Sequence, residues 1–135
     1  MKYFKQTDKY SCGVIAAMNL DLWRGKTVCD NDFYAYYKAL KCGKRGTYRR
    51  HFSKWIGFRP VKLNWPKLKK HLQSGGAAVV FTRTKYSSTG AHLYFIDQVD
   101  GHWARCINLL ADDIYTWVHW RWLCKLLMTS SVWRV

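Results

Sequence analysis

The stretch that decides the fold is Gln6-Thr7-Asp8-Lys9-Tyr10-Ser11-Cys12-Gly13, which runs directly into the apolar segment 14–23. This pattern predicts a loop that ends with Cys12 in the first turn of a helix. The unpaired backbone N–H groups and partial positive charge of a helix start favour a thiolate over a thiol. Gly13 has no side chain, so a substrate or another backbone segment can approach Cys12 closely. Cys12 is therefore a candidate nucleophile; the alternative is a buried cysteine that packs as a small apolar residue.

Gln6 is a candidate partner for that nucleophile. It lies six residues before Cys12 and carries an amide that can donate two hydrogen bonds. A cysteine nucleophile needs a hydrogen-bond donor for the oxyanion of its tetrahedral intermediate. The sequence therefore suggests Gln6 as an oxyanion donor.

Length and composition predict a single domain over residues 1–135. The chain has 135 residues, of which 49% are hydrophobic, enough for one core. Its five cysteines are odd in number and none are spaced CxxC, which argues against a disulfide framework and a zinc finger, so no metal or cofactor is expected. We see neither a secretory signal nor an apolar run of membrane-spanning length, so we expect a reducing, cytoplasmic setting.

The positive charge is concentrated in the middle of the sequence. The net charge is +15, and residues 33–96 contain 14 Lys or Arg and no acidic residue. Such a block attracts acidic peptide, nucleic acid or anionic membrane, although a solvated face that only aids solubility is the alternative. We predict a docking surface for an acidic partner, separate from the chemistry. Its candidate residues are Lys44, Arg45, Arg49 and Arg50.

The first half of the sequence is predicted to be helical. Asn31 is a plausible N-cap for the second helix, and Asn64-Trp65-Pro66 is a clear start for the fourth, because proline is tolerated in the first turn. The predicted helices span 12–23, 32–41, 46–55 and 67–73.

The second half is predicted to begin as an antiparallel sheet. Val99-Asp100-Gly101-His102 contains an Asp-Gly hairpin signal, and residues 83–90 are a polar loop. The predicted strands span 77–82, 91–97, 103–107 and 131–135. The segment 114–128 has apolar residues on nearly every side of a helical wheel, which favours a buried or oligomer-packing element over an interfacial membrane helix. Helices followed by strands indicate an α+β fold.

The predicted sheet supplies a base for Cys12. His92 lies on the strand 91–97, and Asn108 ends the next strand, sixteen residues later. A strand, a tight turn and a returning strand can bring such positions side by side. A cysteine nucleophile needs a base within hydrogen-bond reach, and an amide oxygen can fix the tautomer of that base. Taken singly, His92 could be a histidine satisfied on a sheet and Asn108 a turn former.

Together these positions resemble the C39-like, bacteriocin-processing type of papain-fold cysteine peptidase. The resemblance rests on Gln6, on Cys12 opening a helix, on a helix–Gly75-Gly76–strand unit, and on Gly90-Ala91-His92 followed by a hairpin that ends near Asn108. It implies a papain-like fold, with N-terminal helices packed against a C-terminal antiparallel sheet. It also implies that Cys12 is the nucleophile, His92 the general base and acid, Gln6 the oxyanion donor, and Asn108 the third member of a triad.

The chain departs from that family in two respects. The third position is usually Asp in the C39 peptidases, so Asp112 or Asp113 is an alternative partner for His92. Many C39 domains are fused to a membrane exporter, whereas this sequence suggests a stand-alone phage or bacterial accessory protein. The family's preference for cleaving after Gly-Gly in a leader peptide is therefore not automatic here.

The resemblance predicts hydrolysis of a peptide or isopeptide bond in a protein or peptide substrate, and the basic middle of the sequence predicts that this substrate is acidic. The same machinery serves a glutamine deamidase, a ubiquitin-like deconjugase or a transacylase, and the fold does not choose between them. The alternative from another class is a nucleic-acid binder on a peptidase-like scaffold. It would use the 38–70 region for phosphates and aromatic side chains for stacking.

Overall fold

A computed structural model describes residues 2–83, 91–110 and 112–135. The predicted α+β class is confirmed. The helices of the described residues are α1 (Cys12–Trp23), α2 (Phe33–Ala39), α3 (Arg49–Ile56), α4 (Trp65–Gln73) and α5 (Trp120–Leu127). The strands are β1 (Ala78–Arg83), β2 (Ala91–Asp100), β3 (Trp103–Ile107), β4 (Tyr115–His119) and β5 (Ser130–Arg134). Apart from Arg83, which ends β1, the predicted loop 83–90 lies outside the described residues.

The strands form one antiparallel sheet in the order β4-β3-β2-β1-β5. The predicted hairpin between β2 and β3 is confirmed, with Gly101 in the turn at φ +58°. β2 continues to Asp100, three residues beyond the predicted strand end, and its register with β3 shifts between Ile96 and Gln98. The last strand is also confirmed, and it pairs with β1.

Helices cover both faces of this sheet. On one face, α1 packs with Val79, Leu93 and Phe95. On the other face, α4 and α5 pack against Val80 and Tyr94. Alternating residues of β1 and β2 therefore enter two separate apolar clusters, as the two-residue period of a strand requires. The predicted packing of N-terminal helices against the sheet is confirmed, and the late helix α5 joins α4 on the face opposite α1.

Two predicted helix starts are displaced. The second helix begins at Phe33 after a short 3-10 turn, Asp30–Asp32, and Asn31 does not cap it. Instead the backbone N–H of Cys29 donates to the Asp32 carboxylate at 2.9 Å. The third helix begins at Arg49, because the residues before it form a tight turn closed at Gly43 and Gly46.

The start of α4 agrees with the sequence. The Asn64 side chain accepts the Lys67 backbone N–H at 3.0 Å, and proline occupies the first turn. This is the hydrogen bond that makes asparagine a favourable N-cap.

The ambiguous segment 114–128 contains two elements. β4 ends at His119, whose imidazole Nδ1 accepts the Arg121 backbone N–H at 3.2 Å and so caps α5. Apolar residues repeat every 2 residues in a strand and every 3.6 residues in a helix. A segment that contains both elements therefore shows no single apolar stripe on a helical wheel. Within the described part of the chain, no helix is long and apolar enough to cross a membrane.

Candidate active site

Cys12 is the first residue of α1 and is buried, with 6% of its surface exposed. The loop before it is folded by Asp8, whose carboxylate accepts the backbone N–H groups of Tyr10 and Ser11, both at 2.7 Å. The same carboxylate accepts the Ser11 hydroxyl at 2.8 Å. Asp8 therefore shapes the turn that delivers Cys12 to the helix start. Sequence reasoning missed this role, although an aspartate that precedes a turn is a known signal for such hydrogen bonds.

His92 and Cys12 line the same small, shallow pocket. His92 lies near the start of β2, opposite Thr82 of β1. Its Nε2–H donates to the main-chain oxygen of Asn108 at 2.7 Å. Because a carbonyl oxygen only accepts, this hydrogen bond fixes the tautomer and leaves Nδ1 as the basic nitrogen of the neutral ring. The other residues that line the pocket are Arg45, Gly46, Thr47, Phe81, Ala91 and Leu93.

Asn108 reaches His92 through its backbone and not through its side chain. The sequence predicted an amide oxygen against the imidazole, but the Asn108 amide is turned towards the N-terminal arm. Its Oδ1 accepts the backbone N–H of Gln6 at 3.0 Å, and its Nδ2 donates to the Phe4 main-chain oxygen at 2.8 Å. The left-handed backbone of Asn108, with φ +58°, accompanies this arrangement.

Neither of the alternative partners occupies the place opposite His92. Asp112 and Asp113 are exposed, and within the described residues no hydrogen bond joins either carboxylate to the imidazole. The main-chain oxygen of Asp112 instead accepts the Lys5 ammonium at 3.1 Å. The position that contacts His92 is therefore Asn108.

Gln6 lies on the arm that Asn108 holds, outside the residues that line the pocket. Its Nε2 donates to the main-chain oxygen of Asp8 at 2.8 Å. This hydrogen bond uses one of the two amide hydrogens. The oxyanion role of Gln6 remains a prediction.

The space beside Gly13 is filled by the chain itself. A Cβ added at Gly13 would lie 2.8 Å from Thr47 Cβ and 3.0 Å from Leu93 Cδ1. We expected this glycine to admit a substrate or another backbone segment. Its absent side chain instead admits Thr47 and Leu93, two residues that also line the pocket.

Burial favours the neutral forms of both the Cys12 thiol and the His92 imidazole. Burial raises the pKa of the Cys12 thiol, and the backbone N–H groups of Leu93 and Gly13 oppose that rise. Burial lowers the pKa of His92, although the hydrogen bond to Asn108 acts in the opposite direction. The backbone donors at the helix start thus act as predicted, but desolvation outweighs them.

Four basic residues suggested by the sequence have different surroundings. Arg45 lines the pocket with Cys12, whereas the Arg49 guanidinium donates to the Ser131 hydroxyl at 2.9 Å. The Arg50 guanidinium lies 4.8 Å from the centre of the Tyr48 ring, and Lys44 is exposed. The basic segment, residues 33–96, was expected to lie apart from the catalytic residues. Arg45 departs from that expectation, because it lines the same pocket as Cys12. Within ranges 2–83, 91–110 and 112–135, no group of three or more His, Cys, Asp or Glu side chains is placed to hold a metal ion.

Solved structures with the same architecture exist. The peptidase domain of Streptococcus ComA, a bifunctional ABC transporter involved in a quorum-sensing pathway, matches 99% of this chain and 97% of its own with a TM-score of 0.76 and 14% identity. The chain has the papain-like fold of the C39 peptidase domains. The Streptococcus mutans ComA peptidase domain shares this C39 fold, with a TM-score of 0.62, 13% identity, and coverage of 100% of this chain and 99% of that chain.

A third C39 structure was solved with a peptide bound. It is a double glycine motif protease from an AMS/PCAT transporter in complex with the leader peptide, with a TM-score of 0.64 and 8% identity over 98% of this chain and 89% of that chain. No protein-family model and no curated protein matches this sequence. At these identities the likeness shows the fold alone.

Proposed function

We propose that this chain is a cysteine peptidase in which Cys12 is the nucleophile and His92 the general base and acid. The observation that carries the proposal is the shared pocket. A helix start presents the thiol, a strand presents the imidazole, and the hydrogen bond to Asn108 leaves Nδ1 as the basic nitrogen. A nucleophile and a base whose tautomer is fixed by a third group are the parts that covalent acyl transfer needs.

The reaction starts from a neutral pair. His92 Nδ1 takes the thiol proton as the Cys12 sulfur attacks the carbonyl carbon of the scissile amide. The imidazolium then gives its proton to the leaving nitrogen, and the C–N bond breaks to leave a thioester on Cys12. Water that His92 deprotonates hydrolyses the thioester and regenerates the thiol. We assign stabilisation of the tetrahedral oxyanion to backbone N–H groups at the start of α1, assisted by Gln6.

We infer that the substrate is a peptide with small residues at the scissile bond, in keeping with cleavage after Gly-Gly. Thr47 and Leu93 crowd the space next to Gly13, so little room for a substrate side chain remains beside Cys12. The solved complex of a protease with the same fold and a leader peptide supports a peptide substrate.

The decisive experiment compares Cys12→Ala and His92→Ala with matched controls. Cys29→Ser removes an exposed free thiol, and His102→Ala removes an exposed imidazole in the β2–β3 turn. On a peptide containing Gly-Gly, we expect both site variants to lose turnover and both controls to retain it, while circular dichroism shows all four folded. Full activity in Cys12→Ala and His92→Ala would eliminate the proposed pair.

We further propose that the basic segment steers an acidic protein or peptide partner towards this pocket. Lys44 and Arg50 are exposed and carry charge that no acidic residue between 33 and 96 offsets. Steering by exposed charges weakens as salt rises, because the Debye length is about 8 Å at physiological ionic strength. The double variant Lys44→Gln/Arg50→Gln should flatten the salt dependence of kcat/KM for an acidic substrate and leave an uncharged substrate unaffected. Tight, salt-sensitive binding of DNA or RNA by Cys12→Ala would instead favour the nucleic-acid function.

A further inference from the structure

Arg45 occupies a different position from the rest of the basic segment. It lines the pocket that Cys12 and His92 share, yet its side chain is exposed. Within the described residues the ion pairs use only Asp21 and Asp97, both with other cations. Arg45 therefore lines the pocket without an acidic partner among the described residues.

The backbone that carries Arg45 is fixed with respect to Cys12. Residues 43–46 form a tight turn in which Gly43 N–H donates to Gly46 O at 3.2 Å and Gly46 N–H donates to Gly43 O at 2.9 Å. Gly46 adopts φ +76°, a conformation that glycine reaches without steric cost. Lys44 and Arg45 are thus at the tip of a closed turn and not on an open loop.

Both ends of this turn are anchored to the element that presents the nucleophile. On one side, the buried Cys42 thiol donates to the Tyr10 main-chain oxygen at 3.4 Å, two residues before Cys12. On the other side, the buried Thr47 packs against Gly13 of α1. The turn that carries Arg45 is therefore held at both ends against the segment that presents the thiol.

We propose that Arg45 determines specificity by binding a carboxylate of the substrate within two residues of the scissile bond. This inference rests on the proposed peptidase function. The planar guanidinium forms paired hydrogen bonds to a carboxylate, which gives direction as well as charge. Arg49 cannot substitute for it, because its guanidinium already donates to Ser131 and lies 5.9 Å from the centre of the Phe81 ring.

Two sources can supply that carboxylate, and they have the same chemistry. One is the side chain of Asp or Glu near the scissile bond. The other is the terminal carboxylate of a substrate cleaved close to its C-terminal end. A complex mixture of peptides separates the two, because each peptide carries internal acids at varied positions and one free terminus.

The experiment digests a proteome-derived tryptic peptide library with the wild-type protein and reads the cleavage sites by mass spectrometry. Cys12→Ala supplies the background. We expect Asp or Glu to be enriched about fivefold at one position within two residues of the cleaved bond. Arg45→Gln should abolish that enrichment, and Arg45→Lys should retain part of it. Arg59→Gln, which removes an exposed arginine outside the pocket, should leave it unchanged.

The outcomes are distinct. Cleavage that clusters at peptide C-termini and disappears when the library is amidated identifies the terminal carboxylate as the ligand. Cleavage that depends on Cys12 but shows the same residue preferences in wild type and Arg45→Gln overturns the role of Arg45 and leaves the peptidase function standing. Absence of any cleavage dependent on Cys12 overturns both proposals together.

Discussion

Replacing Asn108 separates the two tasks that meet at this residue. Its main-chain oxygen accepts the His92 imidazole, whereas its side chain binds the backbone of the N-terminal arm at Phe4 and Gln6. Asn108→Gly removes only the side chain, and glycine accepts the φ of +58° without strain. We therefore expect Asn108→Gly to loosen the arm and to leave the imidazole in place.

The size of the stability effect follows from these contacts. Asn108 is buried, with 8% of its surface exposed, and its amide makes two hydrogen bonds at 3.0 and 2.8 Å. At about 1 kcal/mol for each bond, Asn108→Gly should lower the free energy of unfolding by about 2 kcal/mol. Asn108→Ala should cost about 1 kcal/mol more, because a side chain with a Cβ is disfavoured in the left-handed region.

Asn108→Asp offers a sharper comparison, since it keeps the size of the side chain and replaces the amide nitrogen with a second oxygen. A carboxylate still accepts the Gln6 N–H, but it cannot donate to the Phe4 oxygen and faces that oxygen with negative charge. We expect Asn108→Asp to be destabilised as well, by about 1 to 3 kcal/mol.

The assay has two readouts. Urea unfolding gives the free energy of each variant, and mass spectrometry follows the rate at which iodoacetamide modifies Cys12 as a function of pH. Asn108→Gly should keep the wild-type pH dependence of Cys12 modification, because the carbonyl that holds His92 remains. If Asn108→Gly has wild-type stability and shifts this pH dependence as His92→Ala does, the reasoning fails, and the side chain must orient the imidazole.

Other consequences of the site can be checked separately. Gln6→Ala should lower kcat by about 10²-fold, the usual effect of losing one oxyanion donor, and a change in KM alone would mark Gln6 as a binding residue. The rate of Cys12 alkylation should still be rising at pH values above the usual pKa range of a cysteine thiol. Burial raises the pKa of the Cys12 thiol and lowers the pKa of His92, so little thiolate–imidazolium pair exists at acidic pH. A rate that already reaches its plateau at pH 5 would contradict the neutral pair. Gly13→Ala should lower the free energy of unfolding by about 1 to 3 kcal/mol, because the new Cβ would lie 2.8 Å from Thr47 Cβ. An unchanged urea midpoint would show that Thr47 moves aside without a cost in stability.

The sequence predicted well where the signal is local. The start of α4 depends on Asn64 and the proline two residues later, and the β2–β3 hairpin depends on an Asp-Gly pair at its turn. The placement of Cys12 at a helix start and of His92 on a strand also followed from neighbouring residues. In each case the interactions that form the element lie within a few residues of one another.

The misses concern contacts between distant parts of the chain. Asn108 binds Gln6 and Phe4, which precede it by 102 and 104 residues. No local pattern shows whether an asparagine makes such contacts with its side chain or with its backbone. Arg45 lies in the pocket because a glycine-bounded turn packs against the loop before Cys12, which composition does not reveal. The segment 114–128 was ambiguous because a helical wheel assumes one period, and the chain changes period at His119.

The pairing of β1 with β5 has a consequence for folding during synthesis on the ribosome. Thr82 and Ser130 are 48 residues apart, yet their side chains share a hydrogen bond of 2.8 Å across the two strands. Trp133, fully buried with its ring centre 4.7 Å from that of Phe52, also joins the core only when β5 docks. At ribosomal speeds of roughly 5 to 20 residues per second, the outer edge of β1 stays unpaired for about 2 to 10 seconds after its own synthesis. During that interval the nascent chain presents an apolar strand edge that can pair with other chains, so crowding on polysomes should lower its yield and access of chaperones should raise it.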